Sequence, residues 1–232
     1  MTVDVLAVIP ARGGSKRIPN KNVNPVGGQP LIARTIEQAA AAKTIDRAIV
    51  STEDPEIRAV AEEHGGDVPF TRPAELATDD ATNPPVVEHA LEWFEDRGET
   101  PSIVVMLQTT SPLRTTADID SAVRKLRDRP DASSLVSVCR FDTPPYWALE
   151  VEDDLLHPHF EKDVLWADEV VRSQDLPPFY HPNGALFAAR VGPFKRALNF
   201  YTDSTLCYEM PPERSIDIDT PFDLELVRCL LS

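Results

Sequence analysis

Short apolar runs alternate with amphipathic stretches along this 232-residue chain, and that alternation limits the possible folds more than any other feature. The strongest run, Ser102–Gln108, contains Ile-Val-Val-Met-Leu, which is typical of a strand buried on both faces of a sheet. Between the runs, apolar residues recur at the spacing of one helix face. Strands and helices that alternate in this way predict a three-layer α/β/α fold with a mostly parallel sheet.

Cap and breaker residues around the apolar runs help to place the individual elements. Asp54-Pro55 combines a helix cap with a first-turn proline, and Gly98 is expected to end a helix. The predicted strands are Val3–Ile9, Ala48–Ser51, Val68–Thr71 at a sheet edge, Ser102–Gln108, Ser134–Cys139, Gly184–Ala188 and Leu206–Met210. The predicted helices are Pro30–Ala40, Pro55–Gly65, Val86–Asp96, Asp118–Arg129, Pro193–Leu198 and Pro221–Leu231.

Residues 141–182 interrupt this pattern within what we predict to be a single domain, residues 1–232. The segment is rich in proline, histidine and aromatic residues, and Leu149–Leu155 has the pattern of a β-hairpin. We predict an insertion that forms a lid or a dimer contact, and a homodimer built around it, because a loop would not leave so much aromatic surface exposed. Its aromatic residues are Phe141, Tyr146, Trp147, Phe160, Trp166, Phe179 and Tyr180.

The net charge of −15 arises from 38 acidic residues against 17 arginines and 6 lysines. The acidic residues are spread along the chain, which argues against nucleic-acid binding because that function needs a basic face. A high acidic charge with little lysine fits a protein adapted to concentrated salt, where self-repulsion is screened. An acidic protein of ordinary salt conditions is the alternative that composition leaves open.

Cellular location and cysteine chemistry follow from simple patterns. No apolar run approaches the roughly 18 residues that span a bilayer, and the first residues lack a basic leader. Cys139, Cys207 and Cys229 lie far apart, without the spacing of a metal site. We therefore predict a cytoplasmic protein that does not bind membranes and keeps its thiols free and buried.

The densest chemistry lies in the loop Pro10–Asn22, directly after the first predicted strand. In an open α/β sheet, ligands bind beyond the carboxyl ends of the strands, where this loop emerges. Gly13 and Gly14 allow backbone amides to approach an anion closely. The loop also concentrates four cations within a strongly acidic chain, which suits a triphosphate: Arg12, Lys16, Arg17 and Lys21. The spacing matches neither a Walker loop nor a dinucleotide fingerprint.

Five motifs in the chain together resemble the acylneuraminate cytidylyltransferases, the CMP-sialic acid synthetase family, which includes enzymes for legionaminic and pseudaminic acid. The motifs are Ala11-Arg12-Gly13-Gly14-Ser15-Lys16 with Ile18-Pro19 and Lys21-Asn22, then Arg72-Pro73-Ala74-Glu75-Leu76-Ala77, then Leu107-Gln108-Thr109-Thr110-Ser111-Pro112-Leu113-Arg114, then Pro182-Asn183-Gly184-Ala185, and finally Ser215-Ile216-Asp217-Ile218-Asp219-Thr220. The similarity spans nearly the whole chain. It implies a Rossmann-like nucleotidyltransferase fold of the glycosyltransferase-A-like type.

The resemblance also implies a reaction and the residues that perform it. In this family, the anomeric hydroxyl of a nine-carbon 2-keto sugar acid attacks the α-phosphorus of CTP, and pyrophosphate leaves. The implied nucleotide-binding residues are Ala11, Arg12, Gly13, Ser15, Lys21, Asn22, Arg72, Thr82, Asn83 and Gln108. The implied sugar-binding residues are Gln108, Thr110, Ser111, Arg172, Gln174 and Asn183. The implied catalytic residues are Arg12, Lys21, Arg172 and Asp217, and the metal ligands are Asp217 and Asp219, which hold Mg²⁺ or Mn²⁺.

The residue chemistry agrees with the metal assignment independently of the resemblance. In an extended Asp217-Ile218-Asp219 segment both carboxylates project to one side and Ile218 to the core. Two hard oxygen ligands on one face suit Mg²⁺ chelated by phosphates. Arg12 and Lys21 can supply the positioned cations that phosphoryl transfer needs.

The chain departs from the family pattern where the sugar would be recognised. His181 stands where an arginine often precedes Pro-Asn-Gly, and Pro144–Trp147 stands where a lysine often follows the strand near Cys139. These departures favour a less polar acid of the legionaminic or pseudaminic type. Two other interpretations remain open, a cytidylyltransferase for the eight-carbon acid Kdo and a non-catalytic nucleotide-binding protein of the same fold.

Overall fold

The computed structural model describes residues 3–160, 165, 172, 174 and 176–232. Its strands are β1 Val5–Pro10, β2 Pro25–Val26, β3 Gln29–Pro30, β4 Arg47–Ser51, β5 Ile103–Leu107, β6 Ser134–Arg140, β7 Leu149–Glu152, β8 Leu155–Pro158, β9 Tyr180–Arg190 and β10 Thr205–Glu209. Its α-helices are α1 Leu31–Ala41, α2 Pro55–Glu63, α3 Asn83–Glu95, α4 Thr116–Arg127, α5 Val191–Ala197 and α6 Pro221–Leu230. Strands and helices alternate along most of this sequence, as the hydrophobic pattern predicts.

Six strands form the central sheet in the order β10-β6-β9-β5-β1-β4. All of its neighbouring pairs are parallel except those that involve β9, which runs antiparallel to β5 and β6. Because β9 is reversed, its first residues lie at the edge where the other five strands end. This carboxyl edge of the sheet therefore collects residues that follow β1, β4 and β5 together with the start of β9.

Helices cover both faces of the sheet, because alternate residues of each strand point to opposite sides. Val5, Ala7 and Ile9 of β1 pack in a core with α1, α2 and α4, whereas Leu6 and Val8 pack in a second core with α3 and α5. A third, smaller core joins α6 to the loop after β1. The three-layer α/β/α prediction is confirmed.

Side-chain caps fix the starts of the helices near the carboxyl edge. Asp54 accepts hydrogen bonds from the amides of Glu56 and Ile57 at the start of α2. Thr115 with Asp118 at α4, and Thr220 with Asp223 at α6, form capping boxes in which each side chain bonds the other residue's amide. These helices consequently begin within a few residues of the loops that carry the predicted site.

The structure corrects some of the predicted boundaries. No strand forms over Val68–Thr71; the chain there makes one isolated bridge, between Asp67 and Ile49, because it bends away after a single pairing. Helix α3 begins at Asn83, three residues before the predicted start. Cys139 is buried, but Cys207 and Cys229 are exposed, so the three thiols are free as predicted without all being buried.

The segment 141–182 contains the predicted hairpin, formed by β7 and β8, and all eight of its strand residues are exposed. Strand β9 begins at Tyr180, which pairs with Arg140, so residues 180–182 belong to the central sheet. Trp166 lies outside the described residues. Among the helices that the structure describes, none combines the length and the apolar character needed to cross a membrane.

Candidate active site

A cavity of about 200 Å³ opens at the carboxyl edge, between the loop after β1 and the loop after β5. Eight of its lining residues come from those two loops or their ends, and the other six lie between Arg72 and Val86, before and within the start of α3. The predicted site residues that line it are Arg12, Ser15, Lys21, Asn22, Arg72, Asn83, Gln108 and Thr110. Most of the predicted nucleotide site is therefore brought together in space.

A second cavity of about 340 Å³ shares Arg12, Ser15 and Lys21 with the first. It also contains Lys16 and Arg17, so all four cations of the loop border it. The two cavities form one groove that is cationic along the Gly-rich loop and largely uncharged toward α3. A groove of this kind suits a ligand with a polyphosphate at one end and a base at the other.

Two carboxylates pair with the four loop cations. Asp79 lies 2.5 Å from Lys16 Nζ and 3.3 Å from Arg12 Nη2, and Arg12 Nη1 also donates to the Thr78 carbonyl. Asp219 lies 3.5 Å from Arg17 Nη1 and 3.8 Å from Lys21 Nζ. An anionic ligand of this groove therefore competes with Asp79 and Asp219 for the same cations. Asp79 was not predicted, because no motif marks it.

Lys21 is the most buried of these cations, with a side chain only 15% exposed. Its Nζ donates to the Ile218 carbonyl at 2.8 Å, which ties the loop after β1 to the segment that carries both predicted metal ligands. Burial lowers the pKa of Lys21, while the carboxylates of Asp219 and Asp217 act in the opposite direction. Lys21 thus connects the predicted phosphate site to the predicted metal site.

Asp217 is half-buried, whereas Asp219 is 58% exposed. Burial raises the pKa of Asp217, the Asp219 charge adds to that effect, and a hydrogen bond from Thr110 opposes it. One carboxylate oxygen, Oδ1, is buried without a hydrogen-bond partner among the described residues. A buried acceptor without a donor is costly unless a cation or water satisfies it. The residues therefore fit a divalent cation, although residues 215–219 form no strand.

Ile218 is fully buried in the core beneath α6, and its amide donates to the Thr110 carbonyl at 2.8 Å. The prediction that Ile218 faces the core between two outward carboxylates is confirmed for Ile218. The described residues contain no cluster of three or more histidine, cysteine or acidic side chains that could hold a metal alone. A cation at Asp217 and Asp219 would therefore need oxygens from phosphates or water.

Glu53 is an important residue that the sequence analysis missed. Its Oε1 accepts from the Gly13 amide at 2.8 Å, and its Oε2 accepts from Arg72 Nε at 3.1 Å and Nη2 at 2.5 Å. Arg72 is only 4% exposed, so this pairing neutralises a nearly buried charge. One carboxylate thereby links the Gly-rich loop to the base end of the groove. Its position just beyond β4, at a strand's carboxyl end, was the available signal.

The structure gives Gly13 a packing role besides any contact with an anion. A Cβ at Gly13 would collide with the side chain of Asp54, so the helix cap needs glycine there. The Gly13 amide already donates a hydrogen bond to Glu53, and Ala11 is buried. Neither residue borders the groove, and neither does the exposed Thr82. Direct nucleotide contacts by these three residues stay predictions.

Asn22 reaches the groove, but its amide also holds the loop in place. Its Nδ2 donates to the Arg12 carbonyl at 2.9 Å, and its Oδ1 accepts from Thr109 Oγ1 at 2.6 Å. Asn22 and Thr109 are 6% and 3% exposed. This link fixes the loop after β1 against the end of β5.

The predicted sugar residues are more dispersed. Gln174 borders a separate cavity of about 340 Å³ with Arg140, Phe141 and Phe179, and this cavity shares no residue with the groove. Arg172 is exposed and likewise does not border the groove. Ser111 and Asn183 are 0% and 3% exposed, so their side chains are nearly inaccessible. Of this set, only Gln108 and Thr110 border the groove.

Arg114, the last residue of the Gln108 motif, is fully buried beneath the groove. Its Nη1 donates to the carbonyls of Gln108 and Ala185, and its Nη2 donates to Gln38 Oε1 at 2.9 Å. Burial lowers the pKa of Arg114 to about 9, which leaves it charged at neutral pH. Arg114 therefore anchors the loop after β5 to β9 and α1.

The similarity of this chain to known proteins agrees with the geometry of the groove. Residues 6–213 match the family model described as Cytidylyltransferase. The CMP-N,N'-diacetyllegionaminic acid synthase of Legionella pneumophila subsp. pneumophila is 34% identical, over 98% of this chain and 96% of that protein. The pseudaminic acid cytidylyltransferase of Campylobacter jejuni subsp. jejuni serotype O:2 is 31% identical, over 97% and 95%.

The N-acylneuraminate cytidylyltransferase of Streptococcus agalactiae serotype V is also 34% identical, over 94% of this chain but 51% of that protein. The chain thus spans about half the length of this relative. Among solved structures, CMP:2-keto-3-deoxy-manno-octonic acid synthetase complexed with CTP is 20% identical, covers 98% of both chains and gives a TM-score of 0.69. At that identity the likeness supports the Rossmann-like nucleotidyltransferase fold alone. With a family model that covers most of its length and two full-length relatives above 30% identity, the chain belongs to the cytidylyltransferase family.

Proposed function

We propose that this chain transfers CMP from CTP to a nine-carbon 2-keto sugar acid and releases pyrophosphate. The observation that carries the proposal is the groove at the carboxyl edge, where four cations and Asp219 border one cavity beside a less charged one, and where the Asp217 carboxylate acts on Lys21. The relatives that match end to end are named for legionaminic and pseudaminic acid, which supports a nine-carbon acid. The eight-carbon acid Kdo has weaker support, because its synthetase is similar only at 20% identity.

In this proposal the four loop cations bind the triphosphate, and the leaving pyrophosphate carries negative charge that they stabilise. Arg12 and Lys21 are the most important of them, since both border the base end as well as the cationic end of the groove. Arg72, held by Glu53, and Asn83 lie toward the base. Arg172 is proposed to meet the carboxylate of the sugar acid.

Asp217 and Asp219 would hold Mg²⁺ or Mn²⁺. A divalent cation bound there would neutralise phosphate charge and polarise the α-phosphate for attack. The unpartnered Oδ1 of Asp217 supports this assignment. Lys21 donates to the Ile218 carbonyl, between the two aspartates, and so holds both carboxylates close to the Gly-rich loop.

The direct test is pyrophosphate release from CTP in the presence of Mg²⁺ and a panel of sugar acids, with Kdo included. Release that depends on a nine-carbon acid supports the proposal. Release with Kdo alone assigns the eight-carbon branch, and tight CTP binding without release for any acid indicates a non-catalytic nucleotide-binding protein.

The structure makes a specific prediction for Lys21. Lys21→Ala should weaken CTP binding about ten- to a hundredfold, because a charge-assisted hydrogen bond to phosphate is lost. Since its side chain is largely buried and bonded to Ile218, stability should also fall by about 1 kcal/mol. CTP titration calorimetry and thermal unfolding measure the two effects. Lys125→Ala, an exposed lysine on α4, is the control; equal CTP affinity in both variants contradicts the assignment.

Recognition of the sugar is expected to favour less polar acids. Tyr146 packs on Phe179 at 4.9 Å between ring centres, and His181 packs on Phe141 at 4.8 Å, where family members often carry cations. Fewer donors and more apolar wall should favour legionaminic- or pseudaminic-type acids over N-acetylneuraminic acid by about ten- to a hundredfold in kcat/KM. Side-by-side kinetics measure this ratio. A clear preference for N-acetylneuraminic acid would show that the two departures do not affect selection.

We also propose a homodimer in which the β7–β8 hairpin packs on a second copy. Val151 and Leu156 face each other across the hairpin and are 71% and 54% exposed, and Leu155 is 63% exposed. A lone two-stranded hairpin is marginally stable in water, so an apolar one gains much from a partner. A twofold axis would let the same patch serve both copies.

Light scattering at micromolar concentration in high salt should give twice the chain mass of 25.7 kDa. The double substitution Val151→Asp with Leu156→Asp should give the monomer mass, because it places charges in the proposed contact. Phe222→Asp, at an exposed position on α6, should remain dimeric. A monomeric wild-type protein under these conditions would rule out the dimer.

A further inference from the structure

A buried hydrogen-bond chain connects β6, the start of β9 and the segment that carries Asp217. Ser137 Oγ donates to Asn183 Oδ1 at 2.6 Å, and Asn183 Nδ2 donates to Ser215 Oγ at 2.9 Å. Ser137 and Asn183 are 0% and 3% exposed. The pairing of β6 with β9 shifts register between Val136 and Val138, which is where Ser137 turns to meet Asn183.

The amide of Asn183 is largely used by the protein itself. Besides the bonds to Ser137 and Ser215, its Oδ1 accepts from the Ala185 amide at 3.2 Å. Ser215 in turn donates to the Pro211 carbonyl at 2.9 Å and stands two residues before Asp217. An amide that is this buried and bonded holds neighbouring backbone better than it recognises a ligand.

Gly184, the next residue, lies directly against the side chain of Asp217 and also constrains its position. Its φ of 74° is in the left-handed region, and a Cβ there would lie 3.3 Å from Asp217 Oδ2 and 3.7 Å from Gln108 Oε1. The bare glycine lets the Asp217 carboxylate pack directly against the start of β9. Asn183 therefore positions Asp217 in two ways. It precedes Gly184, against which the Asp217 carboxylate packs, and it bonds Ser215 in the segment that carries Asp217.

We propose that Asn183 is a positioning residue for the Asp217 carboxylate, and that it acts through Ser215 and Gly184 without contacting the sugar acid. The proposal rests on the proposed function, in which Asp217 binds CTP together with a divalent cation. Breaking the Asn183–Ser215 bond loosens the Ser215 end of the 215–219 segment, while Thr110 and Lys21 still hold Ile218, and it weakens cation binding at Asp217. Groups that orient a metal ligand typically change metal affinity about 10- to 100-fold when they are removed.

The experiment is calorimetric titration with CTP, in Mg²⁺ and in EDTA, which needs no knowledge of the sugar. Asn183→Ala and Ser215→Ala should each bind CTP about 10-fold or more weaker than wild type in Mg²⁺ and equally well in EDTA. The double variant should be no weaker than the single ones, because both remove the same link. If Asn183→Ala does not fold, Ser215→Ala carries the test, since it leaves the Ser137–Asn183 bond intact.

Ser204→Ala is the matched control, because Ser204 bonds Ser133 before β10, at the opposite edge of the sheet. It should bind CTP like wild type in both conditions. Folded Asn183→Ala and Ser215→Ala proteins that keep the full Mg²⁺ effect overturn the proposal, and a higher KM for the sugar acid in Asn183→Ala alone would instead indicate a direct sugar contact. A wild-type protein that binds no CTP contradicts the proposed function, and this proposal with it.

Discussion

Replacing Asp217 with asparagine is expected to reduce turnover about a hundred- to a thousandfold while the protein stays folded. The loss corresponds to about 3–4 kcal/mol of transition-state stabilisation, the usual effect of removing one charge partner from a reacting group. Asparagine has nearly the same size, so Asp217 can be changed without a clash at Gly184. A neutral amide, however, is a poor ligand for Mg²⁺.

The measurement is steady-state pyrophosphate release at saturating CTP and sugar acid, with thermal unfolding as the test of folding. Burial raises the pKa of Asp217, so its ionisation is costly in the folded protein and the neutral variant should be at least as stable as wild type. Asp128→Asn, at the exposed end of α4 far from the groove, should retain full activity. Near-normal turnover in Asp217→Asn would show that Asp217 is not a metal ligand.

Replacing Arg114 with alanine is expected to give the largest loss of stability, about 3–5 kcal/mol. The change removes the donors to the Gln108 and Ala185 carbonyls and to Gln38, and it leaves a cavity under the groove. Among these acceptors, the carbonyl of the buried Ala185 loses the donor that Arg114 supplies. Because Gln108 also moves, the variant should bind CTP more weakly than its stability alone would suggest.

Urea unfolding monitored by circular dichroism measures the change in free energy of unfolding. Arg129→Ala is the control, because the Arg129 side chain makes an exposed pair with Asp131 and such pairs contribute little. An Arg114→Ala protein as stable as the control would mean that water replaces the guanidinium at no cost, and that the loop after β5 is held by its other contacts.

The strands and helices were predictable because hydrophobic runs and caps act locally. Ile103–Leu107 is apolar throughout and is buried throughout, and Asp54 caps α2 as its sequence suggests. The strand predicted over Val68–Thr71 was wrong, because strand propensity does not decide whether the edge of a neighbouring strand is close enough to pair with. That outcome depends on how the loop after α2 returns to the sheet, which no local pattern records.

The residues that line the groove were predictable where a motif coincides with a strand end, as for Arg12, Lys21 and Gln108, and their roles stay predictions. Glu53 and Asp79 escaped prediction because their roles depend on contacts with residues distant in the chain, 40 positions away in the case of Gly13. The resemblance to the cytidylyltransferase family identified Asn183 as a site residue, but it gave no information about the groups around Asn183. Only the structure shows that its amide is buried among protein groups.

The way β6 leaves the sheet and β9 returns has a consequence for how a protein of this fold can be altered. Arg140 pairs directly with Tyr180, and the Phe141 amide donates to the Phe179 carbonyl at 2.9 Å, so the chain departs and re-enters at adjacent rungs of one antiparallel ladder. Paired rungs of this kind can be joined by a short turn. Residues between them can therefore be exchanged as a cassette from another nucleotidyltransferase, and chimeras made at these two points should acquire the donor's acceptor preference and assembly while they keep the recipient's nucleotide chemistry.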